Sequence, residues 1–527
     1  MRSSLSLLLI LLLVLTGCAK RGSITGGLKD TIPPVLTGSI PKNYSTSFDG
    51  KVIKLSFDEL VKLKDINKQL VVSPPMKTPP VISPTTASKL FTITIKDTLK
   101  PNTTYSFNFG QSIQDNNEGN MYPQFKYVFS TGTYVDSLQL AGRITDAYNK
   151  KADNFVSVML YEVDENFTDS IIYKKPPRYV TNTLDSLTTW KLENLKEGKY
   201  LLIALKDKSG NNTYQPKSDK IGFRKELITL PNDTLFQIDL FKEDVKFKAL
   251  KPTLDAGHKL LMGYEGNPEN VEVTVKNGEE ILKSEVTKFP DKDSVNIWFP
   301  KIKADSLGIS IKKGDYIKNF YTKIKDQKKD SLSFKKVGKF SFRDNLKIES
   351  SIPVDKIDES KITLIRKDSS KVEFKTEYDK FTKQITFIFD KQPSEKYSMR
   401  LFPGAITDFY GTVNDTLKYS ATTKELSEFG NLRVKLENAN RFPIVVELTD
   451  AKGNVQATAY TEKETTVDFN ALEPNKYTLR IIYDDNKNKR WDSGNYLQKI
   501  QPEEVIYFPK EIEVRSNWDV EQPFTLP

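Results

Sequence analysis

The residues best placed for chemistry share one loop, Asp484-Asp485-Asn486-Lys487-Asn488-Lys489-Arg490-Trp491-Asp492. Asp484, Asn486, Asn488 and Asp492 put side-chain oxygens at positions 1, 3, 5 and 9 of a calcium loop, the spacing a hard cation needs. Against a metal, position 6 is Lys489 where such loops use Gly, and position 12 is Asn495 where they use a bidentate Glu. Lys487, Lys489 and Arg490 add repulsive charge. The same residues also suit an Asx-rich hairpin turn, closed by side-chain-to-backbone bonds with Trp491 packed below. The turn is the expectation, both here and for Asp207, Ser209 and Asn211, so no metal or other cofactor is assigned. The one histidine, His258, lies in a polar turn and is expected to be exposed, with no nucleophile motif beside it. A single cysteine excludes a disulfide framework and any zinc site built on several thiolates. The 69 acidic residues offer no pair that spacing singles out for glycosidase chemistry. No catalytic residue is assigned, and the chain is expected not to be an enzyme.

That cysteine has a role of its own. Residues 1–18 read MRSSLSLLLILLLVLTGC, in which Arg2 precedes an apolar run from Leu5 to Leu15 that is too short to span a bilayer. Leu15-Thr16-Gly17-Cys18 resembles the lipobox of bacterial lipoproteins. The resemblance implies removal of residues 1–17, diacylation of the Cys18 sulfur, acylation of its amine, and anchorage by the lipid. Lipoproteins that Bacteroidota export to the cell surface typically carry acidic residues just after this cysteine, whereas here none precedes Asp30. The resemblance therefore implies an outer-membrane anchor facing the periplasm.

Asp-Ser/Thr-apolar tripeptides place hydroxyls at Thr31, Thr98, Ser137, Ser170, Ser186, Thr234, Ser294, Ser306, Ser331 and Thr416. These are ten sites, where composition alone would give about two. The pattern resembles the O-glycosylation acceptor of Bacteroidota; it also reads as Asp opening a turn and the next residues opening a strand. The formal charge of +10 could favour anionic partners. However, the lysines are scattered, and Asp326 and Asp330 interrupt the densest run, Lys323 to Asp330, so a solvated face is expected. No basic patch interleaved with aromatics marks a nucleic-acid surface.

The elements that must position these residues are short alternating runs such as Lys54-Leu55-Ser56-Phe57, Thr92-Ile93-Thr94-Ile95 and Arg433-Val434-Lys435-Leu436. Period two with β-branched and aromatic residues predicts half-buried antiparallel strands, with a single helical turn at Phe57 to Val61. At 527 residues the chain exceeds one core. It also repeats itself. Leu195 to Tyr200 followed by Asp207 to Tyr214 is answered by Leu472 to Tyr477 followed by Asp484 to Trp491 at the same offsets. Upstream of each, Tyr105, Ile113, Asp115 and Gly119 are answered by Tyr397, Ile406, Asp408 and Gly411. The predicted fold is all-β: tandem β-sandwich domains in a duplicated A–B–linker–A′–B′ arrangement.

The expected divisions are a signal peptide at 1–17, a lipidated tether at 18–29, A at 30–133, B at 134–245, a β-rich middle domain at 246–335, A′ at 336–424 and B′ at 425–527. A resembles the bacterial Ig-like domain of surface-layer proteins through Asp30 to Pro34, Leu55 to Asp58, Tyr105 to Phe109, Ile113/Asp115/Gly119 and Phe129 to Gly132. B resembles the prealbumin-like, carboxypeptidase-regulatory-type sandwich through Gly198-Lys199-Tyr200-Leu201-Leu202; Asn475 replaces the Gly in B′. Together these features resemble Ig-like-domain lipoproteins of Bacteroidota. The resemblance implies a periplasm-facing scaffold or binding subunit for envelope proteins. A second reading is a glycan binder using Tyr and Trp platforms, with Trp491, alone among Trp190, Trp298, Trp491 and Trp518, placed on a loop.

Overall fold

The computed structural model describes residues 30–527 apart from Pro123, 184–186, Ala256, Asp291 and 326–329. The signal peptide, the tether, Cys18, Ser186 and part of the 323–330 basic run lie outside the described residues. Among the described residues the protein is almost wholly β-structure, with one four-residue α-helix, Ile66–Gln69, and no helix long and apolar enough to cross a membrane. Tandem β-sandwiches account for it.

In A, one sheet orders Leu36–Ile40, Val52–Leu63, Ser88–Thr94 and Val81–Ser83, and the other Val71–Ser73, Thr104–Asn108 and Lys126–Ser130. Alternation puts Ile53, Leu55, Phe57, Phe91, Ile93, Phe107 and Phe129 in the core between them. The helical turn expected at Phe57 to Val61 does not form. Those residues continue the strand Val52–Leu63, because its pairing with 88–94 bulges between Ser56 and Val61 and its end pairs instead with Ile113–Asp115. A′ has the same strand order, Phe334–Val337, Leu346–Ser350, Gln384–Ile388, Lys375–Asp379 against Ile362–Ile365, Lys396–Leu401, Leu417–Thr422. Its counterpart of the long strand is broken into Leu346–Ser350 and Val354–Ile357, with Pro353, which has no N–H to donate, at the break.

B and B′ also share a topology. In B, Tyr179–Asn182, Ser157–Glu162, Gly198–Lys206 and Lys220–Phe223 face Thr189–Leu195, Leu138–Asp146 and Leu235–Leu240. In B′ the same places are taken by Val455–Thr461, Ile444–Thr449, Asn475–Tyr483 and Val505–Val514, and by Thr466–Leu472, Gly430–Glu437 and Asp519–Thr525. The last strand of each copy pairs in parallel with the first. The middle domain is a further sandwich, its core built on Leu260, Met262, Val275, Val295, Ile297 and Ile309. It packs on A′ through Trp298, Ile352 and Phe409.

The units do not form an open string. B′ folds back onto B, and that contact builds a buried polar site.

Candidate functional site

The loop singled out by spacing follows the strand Asn475–Tyr483. Asp484 is fully buried; its Oδ1 accepts the Asn488 amide at 3.0 Å and its Oδ2 the Lys489 amide at 2.8 Å. Asp492 Oδ2 accepts both Asn486 Nδ2 at 2.6 Å and Asn488 Nδ2 at 2.5 Å, and Asn488 Oδ1 accepts the Arg490 amide at 3.0 Å. The four residues are brought together, with these oxygens holding the loop's own donors. Lys489 occupies left-handed backbone at φ 66°, which costs a non-glycine residue about 1 kcal/mol or more and is offset here by the Asp484 bond. In B, Asp207 does the same work, accepting the amides of Ser209, Gly210 and Asn212 at 3.0, 2.7 and 2.7 Å.

Beyond the turn the two loops part. In B, the Tyr214 hydroxyl donates to Glu243 Oε2 at 2.6 Å within its own unit. In B′, Trp491 leaves its sandwich and packs on Tyr148 of B with ring centroids 4.7 Å apart, donating its Nε1–H to the Glu503 carbonyl at 2.9 Å. Tyr496 goes further and is fully buried in an aromatic cluster of B with Tyr161, Tyr173, Tyr214, Phe223 and Phe241. Its amide donates to Glu243 Oε1 at 2.5 Å and its hydroxyl to the Asp169 carbonyl at 3.0 Å. One carboxylate, Glu243, thus joins Tyr214 of B to Tyr496 of B′. Burial, with Glu243 beside it, pushes the Tyr173 hydroxyl up to about 12. Gly494 is required where it stands, since a Cβ there would meet Phe241 Cζ and the Ile500 carbonyl, both at 2.7 Å.

Arg480 completes the joint. Its side chain is 1% exposed, pairs with Glu447 at 2.6 Å, and lies over the Tyr148 ring at 3.9 Å. Its Nη1 donates to the Tyr148 carbonyl at 3.2 Å and to the Tyr507 hydroxyl at 2.9 Å. Burial works against the charge, but Tyr507 and Glu447 hold the guanidinium above its ordinary value. Lys499 pairs with Asp169 at 2.5 Å. Sequence reasoning missed Tyr148, Arg480, Tyr496 and Lys499. A signal existed for Arg480, the one cation in the strand's apolar run Leu479-Arg480-Ile481-Ile482-Tyr483. Another lay in the length of the B′ loop compared with its copy.

Beside this joint lies a cleft of about 730 Å³ between the outer face of B's three-stranded sheet, at Arg143, Thr145 and Gln237, and the B′ segment around Gln501 to Val505. Glu503 lines it, accepting the amides of Asp485 at 2.8 Å and Asp492 at 2.9 Å; burial outweighs these bonds and holds its carboxyl above the ordinary range.

The remaining sequence candidates disperse. Thr31, Thr98, Ser137, Thr234, Ser306, Ser331 and Thr416 are exposed, while Ser170 and Ser294 are half-buried. Ser294 and Ser306 open strands, and Ser137, Thr234 and Thr416 immediately precede them. His258 is not the exposed residue expected: it is half-buried, edge-on to Phe299 at 6.1 Å and to Tyr410 at 5.9 Å, because A′ packs over its turn. Asp330 pairs with Lys259 at 2.8 Å. Trp190 and Trp298 are core residues and Trp491 is covered by Tyr148, which leaves Trp518, 50% exposed, as the most accessible of the four indoles.

Residues 30–131, the A unit, match the family model of the bacterial Ig-like domain, so the chain carries one such domain there. No curated protein sequence matches the chain. Among solved structures it is similar to the surface-layer protein SbsC (14% identity, 91% of this chain and 67% of that one, TM-score 0.15). It is also similar to the TIE protein of Bacillus anthracis (12% identity, 95% and 75%, TM-score 0.15). A third is the major pilin subunit BcpA of Bacillus cereus (12% identity, 74% and 99%, TM-score 0.14). At such TM-scores these likenesses carry no weight, and the Ig-like assignment rests on the family model.

Proposed function

We propose that the protein is a non-enzymatic lipoprotein of Bacteroidota type, held in the outer membrane through acylated Cys18 and facing the periplasm, where its sandwiches act as a scaffold or binding subunit for other envelope proteins. The observation that carries the reading is the junction of B with B′, where Tyr496, Arg480 and Lys499 tie together units far apart in sequence. A string of sandwiches tied in this way is a body of defined shape, which suits holding partners in fixed relation better than spanning distance. Exposed hydroxyls at Thr98, Thr234, Ser306 and Thr416 are accessible to an O-glycosylating enzyme in the same compartment. Trp491, the loop tryptophan of the glycan-platform reading, is engaged by Tyr148, so that reading would fall to the exposed Trp518.

The test is fractionation of the native host. Cys18→Ala is expected to release the chain from the membrane fraction, and membrane association persisting through a salt wash would overturn lipid anchoring. Resistance to protease added to intact cells fits the periplasmic face; cleavage there would move the protein to the cell surface. Pull-down from detergent-solubilised envelope then identifies what it holds.

A further inference from the structure

We propose that the cleft between B and B′ binds a polyhydroxylated anion, a sugar carrying a carboxylate or a phosphate. This goes beyond the scaffold reading and stands whether or not Cys18 is lipidated. At about 730 Å³ the cleft has room for more than a bare ion; small-molecule sites run roughly 300–1,000 Å³. It exists only because B′ folds back, so neither sandwich would present it alone.

Its carboxylates are already engaged. Asp146 pairs with Lys220 at 2.6 Å, Glu226 with Arg224 at 3.6 Å and Glu504 with Arg441 at 2.9 Å. Asp239 accepts Gln237 Nε2 at 2.9 Å and the Thr145 hydroxyl, and Glu503 accepts two backbone amides. Among the described residues, by contrast, three of its cations have no carboxylate partner. Arg143 sends both Nε, at 2.8 Å, and Nη2, at 2.5 Å, to one neutral oxygen, Gln237 Oε1. Lys150 reaches only the carbonyls of Phe508 and Pro509, at 3.3 and 3.1 Å. Lys225 lines the cleft and is exposed.

The duplication supplies the control. Strand pairing places Arg433 of B′ at the position of Arg143, with Glu521 where B has Gln237 and Asp468 where B has Thr189. Arg433 is held by Asp468 through two bonds, at 2.7 and 2.9 Å. B therefore keeps the arginine without the acid that neutralises it in the copy. A planar guanidinium is built to take two oxygens of a carboxylate or phosphate. The same cleft is lined by Thr145, Thr188 and Gln501; with the Thr145 hydroxyl donating to Asp239 and Gln501 Nε2 to the Phe223 carbonyl, their oxygens are the groups that suit hydroxyl donors.

Titration calorimetry on the full mature chain in detergent tests this, with a galacturonate trisaccharide, glucose 6-phosphate and neutral maltotriose as probes. At least one charged sugar is expected to bind about tenfold or more tightly than maltotriose, since a charge-assisted pair is worth roughly that factor. Which charged sugar binds distinguishes carboxylate from phosphate. Arg143→Gln should weaken that binding about tenfold with an unchanged melting temperature, while Arg433→Gln should leave it unaltered. Lys225→Gln, at an exposed position, should weaken it by a smaller factor, and binding should fall as salt shortens the screening length from about 10 Å to about 3 Å. Failure of both charged sugars to bind, equal binding of maltotriose, or equal loss in Arg143→Gln and Arg433→Gln would each overturn the proposal.

Discussion

The loops 207–219 of B and 484–504 of B′ occupy the same place in the same sandwich and begin with the same chemistry, a buried or half-buried Asp collecting backbone amides. They end differently. The shorter loop returns Tyr214 to the aromatic cluster of its own unit; the longer one carries Tyr496 out of B′ into that same cluster, and Glu243 holds both. Duplication thus supplied a second copy of a turn, and added length gave that copy an address on the first. The turn chemistry is shared, and what differs is the surface the aromatic reaches.

Substitutions at the tip of the long loop should break this contrast most strongly. Tyr496→Ala is expected to cost about 3–5 kcal/mol of coupling between B and B′, the usual loss for a large buried aromatic. It should appear as a larger radius of gyration and faster amide exchange over residues 484–504 and 169–173, with both sandwiches intact. Tyr214→Ala should instead destabilise B from within. If Tyr496→Ala leaves scattering and exchange unchanged, the fold-back does not depend on that anchor.

A milder test is crowding. Gly494→Ala places a methyl 2.7 Å from Phe241 Cζ and should weaken the joint by about 1–3 kcal/mol, measured by the same exchange. Gly210→Ala in the short loop meets no atom within 4 Å and strains only its own φ of 69°. Its effect should stay local, and an equal loosening of B′ by both changes would remove the distinction.

Smaller still is the pH response of the joint. Burial raises the Glu503 carboxyl above its ordinary value of 4.5, so the folded state takes up a proton more readily than the unfolded one. The stability linked to it is fully present below 4.5 and declines as pH rises through the raised value. Glu503→Gln should flatten that part of the stability–pH curve in denaturant titrations; an unaltered slope would show that another group titrates there.

The smallest expected effect is none. Calcium should not shift the melting temperature of the full chain, because Asp484 and Asp492 already hold the loop's own amides. A bound ion at a hundredfold excess over its Kd would stabilise by about 2.7 kcal/mol. A calcium-dependent rise abolished by Asp484→Ala would make the long loop a metal site and give the two copies different chemistry.

What the sequence determined by itself was whatever is local or copied. Alternation at Lys54 to Phe57 or Arg433 to Leu436 makes strands because side chains of a strand alternate faces. The repeated offsets from Leu195 and Leu472 lead to identical sheet orders in B and B′. Asp484 is recognisable as a turn-former because its partners lie within five residues. The tertiary structure alone decided that Phe57 to Val61 stays extended, that His258 is covered, and that Trp491 and Tyr496 leave their own sandwich. Each of these depends on a partner brought from a distance, Tyr148 meeting Arg480 across 332 positions for example. Such a contact leaves no period or spacing in the chain, since an aromatic bound for a neighbouring unit is chemically the same residue as one bound for its own core.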